Sequence, residues 1–170
     1  DKYGQTSRRT VTGSSFDGDG NLLSFHEESE ENGVAQSKDW SGAVYQKYQR
    51  DGKDAWRLTS YNETTTDAQG RQSRREWGGA TYDENNSLKS YTQKDTDPSG
   101  ESRVLTWGGA RYDARGNVAE LTETVKSPEG EPRRSWRGGQ YDAHGRLTDF
   151  EELNVDAQAV STSRRWSTAP

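Results

Sequence analysis

The sequence predicts an all-β chain of tandem β-hairpins, folded as an antiparallel up-and-down meander of about eleven strands. Three observations carry that reading. The string Trp77-Gly78-Gly79-Ala80-Thr81-Tyr82-Asp83 returns as Trp107-Gly108-Gly109-Ala110-Arg111-Tyr112-Asp113 and as Trp136-Arg137-Gly138-Gly139-Gln140-Tyr141-Asp142. Each copy runs into a turn signal, and the segments between turns alternate bulky and polar residues with no helical period. Trp40-Ser41-Gly42-Ala43-Val44-Tyr45 and Val11-Thr12-Gly13-Ser14-Ser15-Phe16-Asp17 align as earlier copies, and Trp166 reads as the first residue of a sixth. The whole of 1–170 is therefore expected to be one β-repeat domain, with units starting near Val11, Trp40, Trp77, Trp107 and Trp136 at spacings of 29, 37, 30 and 29 residues.

The first turn of each unit follows the Tyr-Asp pair, as in Asp17-Gly18-Asp19-Gly20, Asp83-Glu84-Asn85-Asn86, Asp113-Ala114-Arg115-Gly116 and Asp142-Ala143-His144-Gly145. An Asp opening a type I turn, with Gly or Asn left-handed at its end, makes a three-residue hairpin loop with a bulge. That loop length sets Phe16 opposite Leu22, Tyr82 opposite Leu88, Tyr112 opposite Val118 and Tyr141 opposite Leu147. Further down the same hairpins, Gly13, Gly79, Gly109 and Gly138 fall opposite Phe25, Tyr91, Leu121 and Phe150. A large side chain over a strand glycine is expected to cover the backbone that glycine leaves bare.

The second turns are Asn32-Gly33, Asp67-Ala68-Gln69-Gly70, Asp97-Pro98-Ser99-Gly100, Ser127-Pro128-Glu129-Gly130 and Asp156-Ala157-Gln158-Ala159. Asn-Gly asks for a two-residue type I′ loop, Asp-x-x-Gly for three residues, and Ser-Pro-Glu-Gly is best fitted with four. These lengths place Phe25, Tyr61, Tyr91, Leu121 and Phe150 against Trp40, Trp77, Trp107, Trp136 and Trp166. They also pair Glu27 with Lys38, Glu63 with Arg75, Glu123 with Arg134 and Glu152 with Arg164, while Gln93 against Leu105 breaks the rule. Charge complementarity did not enter the choice of register, so its appearance supports that choice.

The second unit is longer by seven residues. Setting Gly42 opposite Tyr61 centres its loop on Asp51-Gly52, another type I′ dipeptide, and makes 43–60 an extended hairpin. The aromatic row and its glycines share one face, and the Tyr and Leu residues near the first turns share the other. Neither face carries enough apolar area for a thick sandwich. A single-layer or coiled sheet with nearest-neighbour stability is expected, with a closed up-and-down barrel as the alternative.

Phe16-Asp17-x-x-Gly20-Asn21-Leu22, Tyr112-Asp113-x-x-Gly116-Asn117-Val118 and Tyr141-Asp142-x-x-Gly145-Arg146-Leu147 resemble the YD repeat of Rhs and teneurin-type proteins, here with a longer period near thirty residues. The resemblance implies an extracellular β-sheet scaffold, with no catalysis in the repeats themselves.

Composition narrows the functional classes. Of the residues, 26% are hydrophobic and 30% charged, and the net charge of −5 argues against a nucleic-acid surface or an anionic-membrane surface. No apolar run reaches transmembrane length, no signal peptide precedes Asp1, and any export signal is expected to have been removed or to lie outside this sequence. Without cysteine there is no disulfide, thiol nucleophile or thiolate metal site. Asp17-Gly18-Asp19-Gly20-Asn21 has the beginning of a calcium loop but no bidentate Glu at the required spacing, so it reads as a hairpin turn. His26 and His144 occupy unrelated repeat positions, and no carboxylate pair is singled out for glycoside chemistry. No catalytic residue, metal or cofactor is assigned.

The expected function is thus a non-catalytic structural and interaction segment of a secreted or cell-surface protein, a β-scaffold or spacer with neighbouring repeats in a longer chain. The alternative is a module binding carbohydrate or a small ligand through the aromatic row or a barrel interior. A specific protein or glycan contact is best placed on the extended hairpin, at Tyr45, Lys47, Tyr48 and Trp56. There Trp56 stands outside the repeat pattern, with Lys47 as its cross-strand neighbour.

Overall fold

A computed structural model of the chain describes residues 6–168. Eleven strands run β1 (Ser7–Phe16), β2 (Leu22–Glu31), β3 (Val34–Arg50), β4 (Lys53–Thr66), β5 (Gln72–Tyr82), β6 (Leu88–Thr96), β7 (Ser102–Tyr112), β8 (Val118–Lys126), β9 (Arg133–Tyr141), β10 (Leu147–Val155) and β11 (Ser161–Ser167). They hydrogen-bond in chain order in one antiparallel sheet, and no helix occurs among the described residues. The sheet does not close into a barrel: β1 and β11 are its two edges. The closing alternative fails because no pairing joins the first and last strands. The chain forms two compact units, one running to Gly78 and including Lys94–Ser102, the other comprising Gly79–Gln93 and Arg103 onward.

In the first unit, Phe16 pairs Leu22, Phe25 pairs Trp40, Glu27 pairs Lys38, Tyr61 pairs Trp77 and Glu63 pairs Arg75. In the second, Tyr112 pairs Val118, Leu121 pairs Trp136, Glu123 pairs Arg134, Phe150 pairs Trp166 and Glu152 pairs Arg164. These are the registers that loop lengths predict, and the local reason is visible at each turn. Asp17, Asp67, Asp97, Asp113, Asp142 and Asp156 each accept two backbone N–H bonds at Oδ1, from the residues two and four positions on. One carboxylate oxygen thereby satisfies donors that the tight loop would strand. The carboxyls of Asp17 and Asp113 are held below the usual value chiefly by the Asn21 and Asn117 side-chain amides, and that of Asp142 chiefly by the Arg146 backbone N–H.

One turn detail differs from expectation. Ser127 and Gly130 exchange backbone hydrogen bonds of 2.9 and 3.1 Å, so the Ser-Pro-Glu-Gly turn closes one pair further and leaves two residues, Pro128 and Glu129, at its tip. Proline presets the first corner of such a turn, which makes the tighter closure available without a change of register. The strands of the second hairpin are longer than the rest, as its register predicts, 17 and 14 residues against 7–11 elsewhere.

The strand glycines have a different cause from the one their register suggests. Gly13, Gly42, Gly79, Gly109 and Gly138, each two residues after the unit start, have φ between +60° and +68°. A Cβ at Gly13, Gly79, Gly109 or Gly138 would meet nothing within 4 Å, so no neighbour covers the bare backbone. Glycine stands there for the left-handed conformation, which L side chains disfavour. The pairing is irregular across the same stretch in β1, β3, β7 and β9, as at a bulge, and resumes beyond it with the original register.

The aromatic row forms on one face. In the first unit Phe25, Trp40, Tyr61 and Trp77 follow one another with ring centroids 5.6, 5.5 and 5.5 Å apart. In the second, Tyr91 stacks on Trp107 at 5.5 Å, and Trp136, Phe150 and Trp166 follow at 5.8 and 5.7 Å. Each such contact is worth about 0.5–1.5 kcal/mol beyond the apolar area it buries. The Tyr45, Tyr112 and Tyr141 hydroxyls donate to the carbonyls of Leu22, Leu88 and Val118 at 2.6–2.8 Å, tying each hairpin to its predecessor. Simple alternation sets these tyrosines on the face away from the aromatic row; instead Arg111 pairs with Glu120, and Thr81 with Ser90, on that face, so the irregular stretch after the strand glycine returns Tyr82 and Tyr112 to the side of the row. Ala43, Ala80 and Ala110 are the buried apolar residues among those described. The core is a layer of paired side chains, not an enclosed interior.

Ala159 occupies the left-handed position of the last turn at φ +63°, where the equivalent residues in the other Asp-led second turns are Gly70 and Gly100. Ala159→Gly is expected to raise stability by about 0.5–1 kcal/mol, seen as a higher urea midpoint at unchanged slope. Gly109→Ala should lower the midpoint by a similar or larger amount. Tyr141→Phe, which removes a single hydroxyl bond, is expected to cost about 1 kcal/mol in the same measurement.

Candidate contact site on the extended hairpin

The extended hairpin arises because Gln46 replaces the turn-forming Asp of the other units. Its amide cannot offer the carboxylate that collects turn N–H groups, and it lies instead in mid-strand opposite Arg57, whose Nε donates to Gln46 Oε1 at 3.1 Å. The strands continue through Lys47–Trp56, Tyr48–Ala55, Gln49–Asp54 and Arg50–Lys53. They turn at Asp51 and Gly52, whose φ values of 52° and 72° make the expected type I′ corner. Residues 47–57 contain Lys47, Arg50, Lys53 and Arg57 against Asp51 and Asp54, a net +2 on a chain of net −5.

Alternation along the two strands divides the four expected contact residues. Tyr45, Lys47 and Trp56 share one face, and Tyr48 lies on the other. Lys47 Nζ sits 5.7 Å from the Trp56 ring centroid and 2.5 Å from Asp54 Oδ2, and the Gln49 amide also donates to Asp54. On the opposite face the Arg57 guanidinium lies 5.2 Å from the Tyr48 ring centroid. Tyr45 belongs with Tyr112 and Tyr141, its hydroxyl bound to the Leu22 carbonyl, so it anchors the base of the arm. The arm thus presents two small cation–aromatic pairs, one per face. Arg57, the partner of Tyr48, and Asp54, the ion-pair partner of Lys47, are legible from the register, since Asp54 and Trp56 share a face and Arg57 faces Gln46.

Elsewhere, a set of charged side chains pairs across neighbouring strands. Beside the aromatic row runs a row of ion pairs: Arg9 with Glu27 at 2.5 Å, Lys38 with Glu63 at 3.4 Å and Arg75 with Asp95 at 2.8 Å in the first unit. In the second unit Arg134 reaches Glu123 at 3.9 Å and Glu152 at 2.5 Å, and Arg164 reaches Glu152 at 2.9 Å. Glu152 is buried; burial pushes its carboxyl up, and the two guanidiniums outweigh it, leaving the group below the usual value. Glu27 is likewise buried.

The sheet surface carries open concave features. One, about 570 Å³, is lined by Arg8, Glu28, Glu30, Ser37, Thr66 and Asp67 among others. Among the described residues no group of three or more His, Asp and Glu side chains could hold a metal ion, and no helix is long and apolar enough to cross a membrane. In the Asp17 loop, Oδ1 accepts the Asp19 and Asn21 N–H groups and Oδ2 the Asn21 amide, so the loop's first carboxylate is committed to the turn.

No family model, no curated protein and no solved structure matches the chain.

His26 has a perturbed protonation equilibrium. Its Nδ1 lies 2.7 Å from Asp39 Oδ1; that hydrogen bond, opposed by desolvation and assisted by the Asp39 and Glu28 charges, raises its pKa above the ordinary 6.5. A raised value stabilises the fold fully below the unfolded pKa, and that contribution disappears as pH rises through the folded one. NMR titration should therefore place His26 above 6.5, and Asp39→Asn should bring it back down.

Proposed function

We propose that this chain is a non-catalytic β-scaffold: a repeat segment of a secreted or cell-surface protein that spaces and presents neighbouring parts, with the extended hairpin as its point of specific contact. The observation that carries the reading is that the recurring residues are engaged by neighbouring strands. The tryptophans stack on the adjacent aromatic residues, the Tyr hydroxyls bind the preceding hairpin, and the turn carboxylates collect their own loop N–H groups. Such positions serve folding, and a stack of repeats needs nothing more from them. The likeness of the turns to YD repeats, and the implied extracellular setting, agree with this role.

The carbohydrate-binding alternative draws on the same aromatic row. A sugar ring needs an aromatic face to lie against, whereas Phe25, Trp40, Tyr61 and Trp77 turn theirs to one another at about 20–30° between planes. The hairpin arm remains a site for a protein or glycan partner, through Lys47 and Trp56 on one face and Tyr48 and Arg57 on the other.

Intrinsic tryptophan fluorescence titrated with a panel of neutral and acidic glycans separates the two readings. A scaffold should show no saturable change from its aromatic row. Saturation that disappears in Trp56→Ala would locate a binding module on the arm, and saturation that persists in that variant would assign one to the row. Saturation assigned to the row would overturn the scaffold reading, whereas saturation on the arm would identify the scaffold's contact as a glycan.

A further inference from the structure

Charges that face one another across strands are of opposite sign at Arg8 and Glu30, Glu27 and Lys38, Arg111 and Glu120, and Glu152 and Arg164. At the tip of the extended hairpin the signs match instead: Arg50 faces Lys53. Like charges directly opposite destabilise a strand pair, and the type I′ corner is already supplied by Asp51 and Gly52, so the turn does not need these two cations. Both side chains are exposed, and neither makes an ion pair or a hydrogen bond among the described residues. A local conflict of this kind, in a chain whose other charges agree with the fold, points to a demand from outside the fold.

The rest of the arm's charge is also divided unevenly between its faces. Lys47 and Asp54 lie together on the Trp56 face, joined as an ion pair. By alternation the Tyr48 face carries Arg50, Lys53 and Arg57, and no acid of the two strands. The small side chain of Ala55 stands opposite Tyr48, between the cationic tip and Arg57. Arg57 is four positions back from Lys53, about 13 Å along the strand, and is held by Gln46 and by the Tyr48 ring. Residues 47–57 carry +2 in a chain of −5, which leaves −7 on the remainder. An acidic partner is therefore drawn to the arm and repelled by the sheet behind it.

We propose that the Tyr48 face of the extended hairpin binds an acidic stretch of a partner polypeptide in extended conformation. One carboxylate settles between Arg50 and Lys53 and removes their repulsion, and a second, four residues along, reaches Arg57. An extended chain laid along the strip has the same rise per residue as the arm, so acids at alternate positions stay in step with the cations. Tyr48 lies between the two charged ends, and Tyr with Arg is the side-chain set that anchors protein interfaces. A glycan is the poorer occupant, because a sugar ring needs an aromatic face to lie against and Arg57 already stacks on Tyr48. The inference rests on the reading of the arm as the scaffold's point of contact, and it gives that contact its chemistry.

The test is fluorescence anisotropy of a labelled peptide of alternating Glu and Ser with four glutamates, titrated with the 170-residue chain at low salt. Saturable binding is expected. It should fall at least tenfold when the glutamates are changed to glutamine, and at least tenfold in the double variant Arg50→Glu, Lys53→Glu. The double variant Arg50→Gln, Lys53→Gln should also bind more weakly while its urea midpoint stays level or rises, because the like-charge pair is gone. Absence of binding, equal binding of the glutamine peptide, or a lowered midpoint in the glutamine double variant would each overturn the proposal. Displacement of the peptide by tetragalacturonate, which has as many carboxylates, at lower concentration than by unlabelled peptide would overturn it in favour of a glycan. Binding that survives Arg50→Glu, Lys53→Glu and is lost in Trp56→Ala would sink this inference alone, and binding unmoved by either change would sink the reading of the arm as the contact as well.

Discussion

The left-handed glycine two residues after each unit start is the constraint on which the remaining order depends. Across the second turns the large residues face each other directly, as Phe25 does Trp40. Across the long hairpin arms they do not: Trp40 pairs Glu63, and Tyr61 lies on the diagonal, level with Gly42. Ring contact is nevertheless kept, at 5.6 Å on one side of Trp40 and 5.5 Å on the other. The irregular stretch at Gly42, φ +65°, stands at that diagonal, and the stronger local twist of such a bulge is what brings diagonal side chains together. One residue type thus joins what would otherwise be isolated aromatic pairs into a row.

That arrangement explains how a chain with 26% hydrophobic residues holds a defined structure. A thick core would need apolar side chains on two packed layers. Here only three small alanines are buried among the apolar residues described, and the larger side chains work half-exposed, each shielded by a neighbour on the next strand. Ion pairs along the same face add register specificity more than energy, since exposed pairs contribute at most about 1 kcal/mol each. Burial of Glu27 and Glu152 within that row makes them the costly members, tolerable because cations reach each. Stability of this kind is local and cumulative, and it tolerates a lengthened hairpin because the arm from Lys47 to Trp56 lies beyond the rows that hold the sheet together.

The lengthened arm shows where a sequence reading of the site succeeds and where it stops. Its register comes from the Asp51-Gly52 corner, and Lys47 facing Trp56 comes from the register. Grouping Tyr48 with them does not, because adjacent strand residues point to opposite faces; the structure places it with Arg57. Tyr45 belongs to the repeat through its hydroxyl bond to Leu22, a contact 23 positions back along the chain that no local pattern encodes.

The strands, their order and their registers can all be read from the residue string. They depend on turn chemistry and period-two alternation, which are properties of a few neighbouring residues. Glycine in the strands is visible there too, but its role is not, since a letter does not distinguish a covered backbone from one turned to positive φ. Three outcomes appear only in the folded sheet: it stays open, Ser127 and Gly130 close the turn after the eighth strand more tightly, and Glu27 and Glu152 are buried. All three depend on how successive strands are set against one another in space. A repeat specifies each neighbour pairing and leaves their sum to packing.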